Sequence, residues 1–349
     1  MATEIVKVDP LQPDPAVIAA AAAIIRHGGL VAFPTETVYG LGANGLDAAA
    51  TRRIFAAKGR PADNPLILHI ADPGDIQRLV ERVNSNAAAL MQAFWPGPLT
   101  VVLKRSAIVP DAVTAGLDSV AIRLPQSTVA RALIRAAGVP IAAPSANTSG
   151  RPSPTSAQAV AFDLDGRVEM ILDGGRCTVG LESTVIDCTT PVPTLLRPGG
   201  VTREMLLAIL GELDADRNLA DQTVVPRSPG MKYTHYAPAA PMTLVAAATP
   251  AATAGLLLRE VNLALAAGKR VGAVVAAETA AGLPAAVQSA VYGRRGDKQA
   301  IAGSVYDCLR RFDQAAVDII FCEAVDETGI GLAIMNRLRK AAGYRIVSE

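Results

Sequence analysis

Lys58 and Arg60 are cations whose loop setting suits a phosphate, and Asn64 follows close behind them. They fall in KGRPADNP, between an apolar helix pattern over 47–57 and the strand pattern Leu66–Ile70. Gly59, Pro61 and Pro65 restrict the backbone around them, so the charges sit on a shaped loop and not on a solvated helix face. Two cations at a helix C-terminus also answer the macrodipole, and that reading stays open for the pair. A second polar group stands in FPTETVYGLGANG, residues 33–45, directly after the apolar run Leu30–Phe33. Thr35, Glu36, Thr37 and Tyr39 offer side chains there, and Gly40, Gly42 and Gly45 allow backbone to approach a ligand. A strand end opening into a polar, Gly-rich loop is where open α/β sheets bind ligands. A third group is PSANTSGRPSP, 144–154, whose hydroxyls and amides suit either a ligand or local Asx and ST turns. Arg123 ends the apolar strand pattern Val120–Leu124; buried unpaired it would be costly, so it reaches the surface or meets an anion. His69 is a lone histidine on an apolar strand, a place where a satisfied core residue is the commoner outcome.

These residue types limit the chemistry. The chain has no P-loop, no GxSxG elbow, no metal-ligand cluster and no obvious close pair of acids. An enzyme with this inventory works by positioning and charge neutralisation, which suits phosphoryl or nucleotidyl transfer. The net charge of +1 leaves no electrostatic footprint for nucleic acid or membrane. Cys177, Cys188, Cys308 and Cys322 form no CxxC pair; we expect buried thiols in a reducing compartment. No signal peptide pattern opens the chain, and Ala16–Ile25 is too short to span a bilayer, so we expect a cytoplasmic protein and no membrane partner.

The elements that must position these groups alternate without strict βαβ order, so a mixed, twisted sheet is expected. Helices are expected from Pro15 to the Gly28-Gly29 stop, over 47–57, near Asp75–Val83 and Asn86–Phe94, from Ser127 to about Ala137, and after a Thr155 cap. Strands are expected at Leu99–Leu103, Val139–Ala143, Glu169–Leu172, Thr184–Asp187 and Thr194–Leu196. The length of 349 residues predicts two domains. We place the first at 1–212, a polar, Pro-dotted linker at 213–241, and a second α/β domain at 242–349 with strands at Met242–Val245, Arg270–Ala276 and Val317–Cys322. Its Thr328-Gly329-Ile330-Gly331 opens a helix after a strand but lacks the third glycine of a dinucleotide fingerprint.

PTETVYGLG, KGRPADNPLILHI, AIRLP, PSANTSGRPSP, ESTV, RPG and SPGMKYTHYAP resemble, in that order, the motifs of the YrdC-like threonylcarbamoyl-AMP synthase family in its two-domain form. The resemblance implies an α/β fold: a YrdC-like twisted mixed open sheet with flanking helices, plus a smaller C-terminal Rossmann-like α/β domain. It implies synthesis of threonylcarbamoyl-AMP from L-threonine, bicarbonate and ATP with release of pyrophosphate, and downstream proteins that pass the group to tRNA. Mg²⁺ would arrive with ATP, with no protein metal site. By the same resemblance Lys58 and Arg60 contact ATP phosphates as the catalytic pair, and Thr37, His69, Arg123 and Ser183 hold threonine. Asn64, Ser119, Ser145, Asn147, Ser153, Arg197 and Tyr236 bind the nucleotide; Ser119 stands where the family more often has threonine. The linker motif, with Lys232, Tyr233, His235 and Tyr236, is too rich in aromatic and basic groups for a spacer, and we expect it to act as a lid.

Two other readings are open from the sequence. An RNA-binding module in translation or RNA maturation would want more positive charge and more than 4% aromatics. A carbamoyl-transfer domain of a hydrogenase-maturation protein would bring zinc-finger cysteine clusters, which this chain lacks.

Overall fold

The computed structural model describes residues 2–215 and 236–348. The described chain divides into two compact units, the second beginning in the linker and also taking in Gly150–Pro152.

The first unit is built on strands β1 (Glu4–Lys7), β2 (Val31–Phe33), β3 (Gly40–Asn44), β4 (Ile67–His69), β5 (Leu99–Lys104), β6 (Ser119–Arg123), β7 (Ile141–Ala142), β8 (Met170–Asp173), β9 (Thr184–Asp187), β10 (Thr194–Arg197) and β11 (Asp214–Ala215). They form one mixed sheet in the order β1-β8-β2-β3-β7-β4-β6-β5-β9-β10-β11. Its helices are α1 (Pro15–Arg26), α2 (Ala48–Lys58), α3 (Ser85–Phe94), α4 (Asp111–Thr114), α5 (Thr128–Ala137), α6 (Ala157–Leu164) and α7 (Arg203–Leu210). Local chemistry sets several of their ends. Asp14 caps α1 with Pro15 at its first position, and Asp47 caps α2, which ends at Gly59 in the left-handed region at φ 59°.

The two faces of this sheet are covered unequally. Side chains alternate along each strand, so Leu68, Val101, Ile122 and Ile186 share one face with residues of α2, α3, α6 and α7. On the opposite face α1 and α5 pack over Val31, Phe33, Ile141 and Met170. That helical cover does not extend across the remaining strands. There Ile67, Val102, Ala121, Val185 and Leu196 form a small apolar cluster to which, among the described residues, no helix contributes.

The second unit has β12 (Met242–Ala246), β13 (Val271–Ala276), β14 (Gln288–Gly293), β15 (Ile319–Glu323) and β16 (Ile346–Ser348), ordered β14-β13-β15-β12-β16. Every pairing in it is parallel. Its helices are α8 (Pro250–Ala266), α9 (Ala277–Ala280), α10 (Lys298–Arg311) and α11 (Gly331–Ala341).

Several local expectations change. The glycine-rich half of FPTETVYGLGANG is strand β3, antiparallel to β2. Its glycines serve packing: a Cβ on Gly42 would lie 2.8 Å from both Ile141 and Phe33, and one on Gly45 would lie 2.5 Å from Leu68. The helix expected near Asp75–Val83 is a short 3-10 turn, Pro73–Arg78. The cap after the 144–154 loop is Ser156, one residue beyond Thr155. Strand β1 has no alternating pattern and forms because β8 offers it a parallel edge.

Candidate functional site

Four adjacent strands bring one row of polar side chains together on the face that carries this small apolar cluster. His69 on β4 pairs in register with Arg123 on β6. Arg123 pairs in turn with Thr100 on β5, and the Thr100 hydroxyl lies 2.7 Å from that of Ser183, just ahead of β9. All four are buried. Two residues along each strand the same face becomes apolar, with Ile67, Ala121, Val102 and Val185. The row is the polar end of an apolar floor.

Arg123 is the centre of the row. Its Nη1 donates to Thr37 Oγ1 at 2.8 Å, its Nη2 to Glu36 Oε1 at 2.6 Å and its Nε to the Gly97 carbonyl at 3.3 Å. Of the two fates its sequence position allowed, it meets an anion, and the anion is Glu36. That carboxylate also accepts the Gln126 amide, while the Glu36 carbonyl accepts the Val179 amide. Thr37 is held further by the Thr35 hydroxyl at 2.8 Å. His69 stands edge-on to Phe33. Burial, then the Arg123 charge beside it, pushes its pKa down to about 3, so the ring is neutral. Beyond Ser183, Arg197 donates from Nε to the Ser183 carbonyl and from Nη2 to its hydroxyl. Ser153 joins through Glu182, whose carboxylate accepts its hydroxyl.

A second cluster gathers around Lys58. The side chain is buried, and Nζ donates to the Ser145 carbonyl at 2.5 Å and the Asn147 carbonyl at 2.7 Å. The Lys58 carbonyl accepts the Ser149 amide. Lys58 therefore braces the 145–149 loop with both ends of its residue. Arg60 reaches forward instead, from Nη2 to the carbonyls of Asn64 and Pro65, with its guanidinium 5.8 Å from the Phe55 ring. The Asn64 side-chain amide is buried, and neither its oxygen nor its nitrogen finds a partner among the described residues. A buried unsatisfied amide is a costly feature to keep without a ligand. Ser119 begins β6, two residues before the Ile67–Ala121 pair, so the register carries it toward Pro65 and away from Arg123. It is at the Asn64 end of the floor.

The motif loops are stitched to each other by backbone. Tyr39 donates to the Pro154 carbonyl and accepts from Ala146, and Leu41 donates to the Pro144 carbonyl. PTETVYG and PSANTSGRPSP, about a hundred residues apart, thus form one continuous wall.

Of the residues singled out from the sequence, Thr37, His69, Arg123, Ser183, Arg197 and Ser153 share the row or touch it. Lys58, Ser145 and Asn147 make the brace, and Arg60, Asn64 and Ser119 the opposite end. Tyr236 belongs to the second unit: its ring is buried, 5.4 Å from Tyr306 and 5.8 Å from the Arg337 guanidinium, with its backbone at φ 67°. Lys232, Tyr233 and His235 lie outside the described residues, so the lid expectation does too. Two partners of the site were not singled out, Glu182 and Thr100, and Glu36 was named among the polar side chains of its loop without a role. Thr100 carries a readable signal, a polar residue inside the apolar run LTVVL. Glu182 has none beyond standing inside a quoted motif. Among the described residues no group of three or more His, Cys, Asp or Glu is placed to hold a metal ion. No helix among them is long and apolar enough to cross a membrane.

Known proteins resemble this chain in sequence and in fold. Residues 23–199 match the Sua5/YciO/YrdC family model, described as telomere recombination. Residues 201–343 match the model described as threonylcarbamoyl-AMP synthase, C-terminal domain. A Bacillus subtilis protein named threonylcarbamoyl-AMP synthase is 50% identical over 341 residues, covering 97% of this chain and 96% of its own. A Schizosaccharomyces pombe protein of the same name is 37% identical, covering 92% and 87%. The crystal structure of Pyrococcus abyssi Sua5 complexed with L-threonine superposes with a TM-score of 0.94 at 45% identity, covering 99% of this chain and 100% of that one.

Proposed function

This chain belongs to the two-domain YrdC-like threonylcarbamoyl-AMP synthase family, and on that premise we propose that it makes threonylcarbamoyl-AMP from L-threonine, bicarbonate and ATP. The observation that carries the reading is one sheet face with a polar row, His69, Arg123, Thr100 and Ser183, at one end and cationic loops at the other. Threonine and bicarbonate condense to N-carboxythreonine with loss of water. A carboxylate oxygen of that carbamate attacks the α-phosphorus of Mg·ATP, the bond to the β-phosphate bridge breaks, and pyrophosphate leaves. Mg²⁺ is part of the nucleotide substrate in this scheme. The product is the activated donor for an adenosine of tRNA, to be used by downstream transfer proteins.

In this reading Thr37, His69, Arg123 and Ser183 receive threonine. A neutral imidazole at His69 accepts or donates one hydrogen bond without adding charge beside Arg123. Arg60 neutralises phosphate, and Lys58 acts largely by holding the Ser145–Asn147 carbonyls in place. The amide of Asn64, with Ser119, takes the nucleotide end; Arg197 and Ser153, held beside the row by Ser183 and Glu182, reach the nucleotide from the threonine end. No group here needs to exchange a proton with the carbamate, so catalysis rests on alignment and charge neutralisation.

The test is pyrophosphate release with ATP, bicarbonate and a panel of amino acids. Threonine dependence is expected, with valine poorer than threonine by about a hundredfold or more, because a site built for the hydroxyl leaves polar groups unpaired when it is missing. Release that proceeds equally with valine, or without bicarbonate, would overturn the assignment.

A further inference from the structure

The second unit holds a cavity of about 650 Å³ outside the C-terminal ends of its parallel strands. It opens where β12 and β15 lie side by side and the chain leaves them in opposite directions, to β13 on one side and β16 on the other. Doubly wound sheets bind ligands at such switch points. The cavity is built. Glu323, at the end of β15, is fully buried, with one oxygen accepting Arg295 Nε at 2.9 Å and the other accepting the Ala276 amide at 3.0 Å. Arg295 also donates to Thr279, and the Tyr292 hydroxyl donates to the Glu323 carbonyl. Ala246 at the end of β12, Ala247 after it, and Val325 and Met335 line the same cavity and make part of it apolar.

Charge and size select the ligand. Each cation at the cavity is already paired: Arg295 with Glu323, Arg339 with Glu327, and neighbouring Lys298 with Asp326. Three carboxylates against three cations leave no net field, and a phosphate would meet acids whose partners are taken. The loop from β15 into α11 resembles a phosphate turn in sequence, but its glycine serves packing. A Cβ on Gly331 would lie 1.8 Å from the Asp326 carbonyl oxygen, and Lys298 fills the turn by donating to Thr328. An amino acid is too small for the space. The guanidiniums of Arg295 and Arg339 suit stacking on a heterocycle, and a carboxylate at a strand end, here Glu323, suits ribose hydroxyls.

We propose that this cavity is a second binding site and that it takes an uncharged nucleoside. The proposal is independent of the activity assigned to the first unit. The test is a titration of the full-length protein, ¹³C-labelled at methionine methyls, with adenosine, guanosine, cytidine and uridine, each followed by its 5′-monophosphate. Met335, assigned through Met335→Leu, lines the cavity and is the reporter. At least one nucleoside should move the Met335 methyl saturably, and its monophosphate should need about tenfold more or greater. Ala247→Phe, which fills the space, should abolish the response while leaving pyrophosphate release and the thermal midpoint at wild-type values. Should that variant fail to fold, the nucleoside and monophosphate comparison on the wild-type protein decides by itself. No response to any nucleoside at millimolar concentration, or equal response to the monophosphate, would overturn the proposal.

Discussion

Glu36 and Arg123, 87 residues apart, form an ion pair in which both side chains are about 95% shielded from solvent. Removing one partner of such a pair leaves an uncompensated buried charge, which costs about 3–5 kcal/mol. Glu36→Gln keeps the shape and removes the charge. It should lower the thermal midpoint and raise the KM for threonine, because the guanidinium is no longer held against Thr37. Added threonine should restore less stability to the variant than to the wild type, because ligand stabilisation falls as affinity falls. Unchanged melting and unchanged KM would refute the placement of Arg123.

Arg60 makes two long bonds to backbone carbonyls, at 3.3 and 3.4 Å, and is half-buried. Its loss should leave the fold intact. Arg60→Ala should lower kcat/KM for pyrophosphate release by about 2–4 kcal/mol of transition-state stabilisation. Circular dichroism and melting should match the wild type, and near-wild-type turnover would remove Arg60 from the phosphate end.

His69 ties stability to pH. Its folded pKa of about 3 lies below its ordinary value of 6.5, so the unfolded chain binds the proton first as pH falls. The stability held by the neutral ring is fully present above pH 6.5 and is lost progressively between 6.5 and 3. Each pH unit in that window costs up to about 1.4 kcal/mol. Urea unfolding of wild type and His69→Leu between pH 7 and 4 should show the wild type losing stability faster. Parallel curves would mean the ring is protonated in the native state.

Two glycines near the site separate packing from backbone freedom. A Cβ on Gly45 would sit 2.8 Å from the Pro140 carbonyl oxygen, which cannot move without shifting β7. Gly45→Ala should therefore cost about 1–3 kcal/mol. Gly59 has φ 59° and open space around its Cβ position, so Gly59→Ala should cost only about 1 kcal/mol, from the left-handed backbone. Equal costs in chemical denaturation would contradict the assignment of Gly45 to packing.

The residue groups and the local elements that carry them are legible in the chain alone. Asp14-Pro15, Asp47 and Gly59 set helix ends through hydrogen bonds within a few residues, and the apolar runs at β5, β6 and β9 are strands by composition. The motif order also determined the family. Long-range contact decided the rest. Nothing in FPTETVYGLGANG shows that its second half is a strand; that follows from the partners β2 and β7, against which only glycines fit. Nothing near Glu36 in sequence says that its charge belongs to Arg123, or that Thr100 stands between Arg123 and Ser183. Those pairings depend on the register of β4, β6, β5 and β9, which is set by burying alternate residues against α2 and α3. The same burial turns the other set of side chains toward the face to which, among the described residues, no helix contributes.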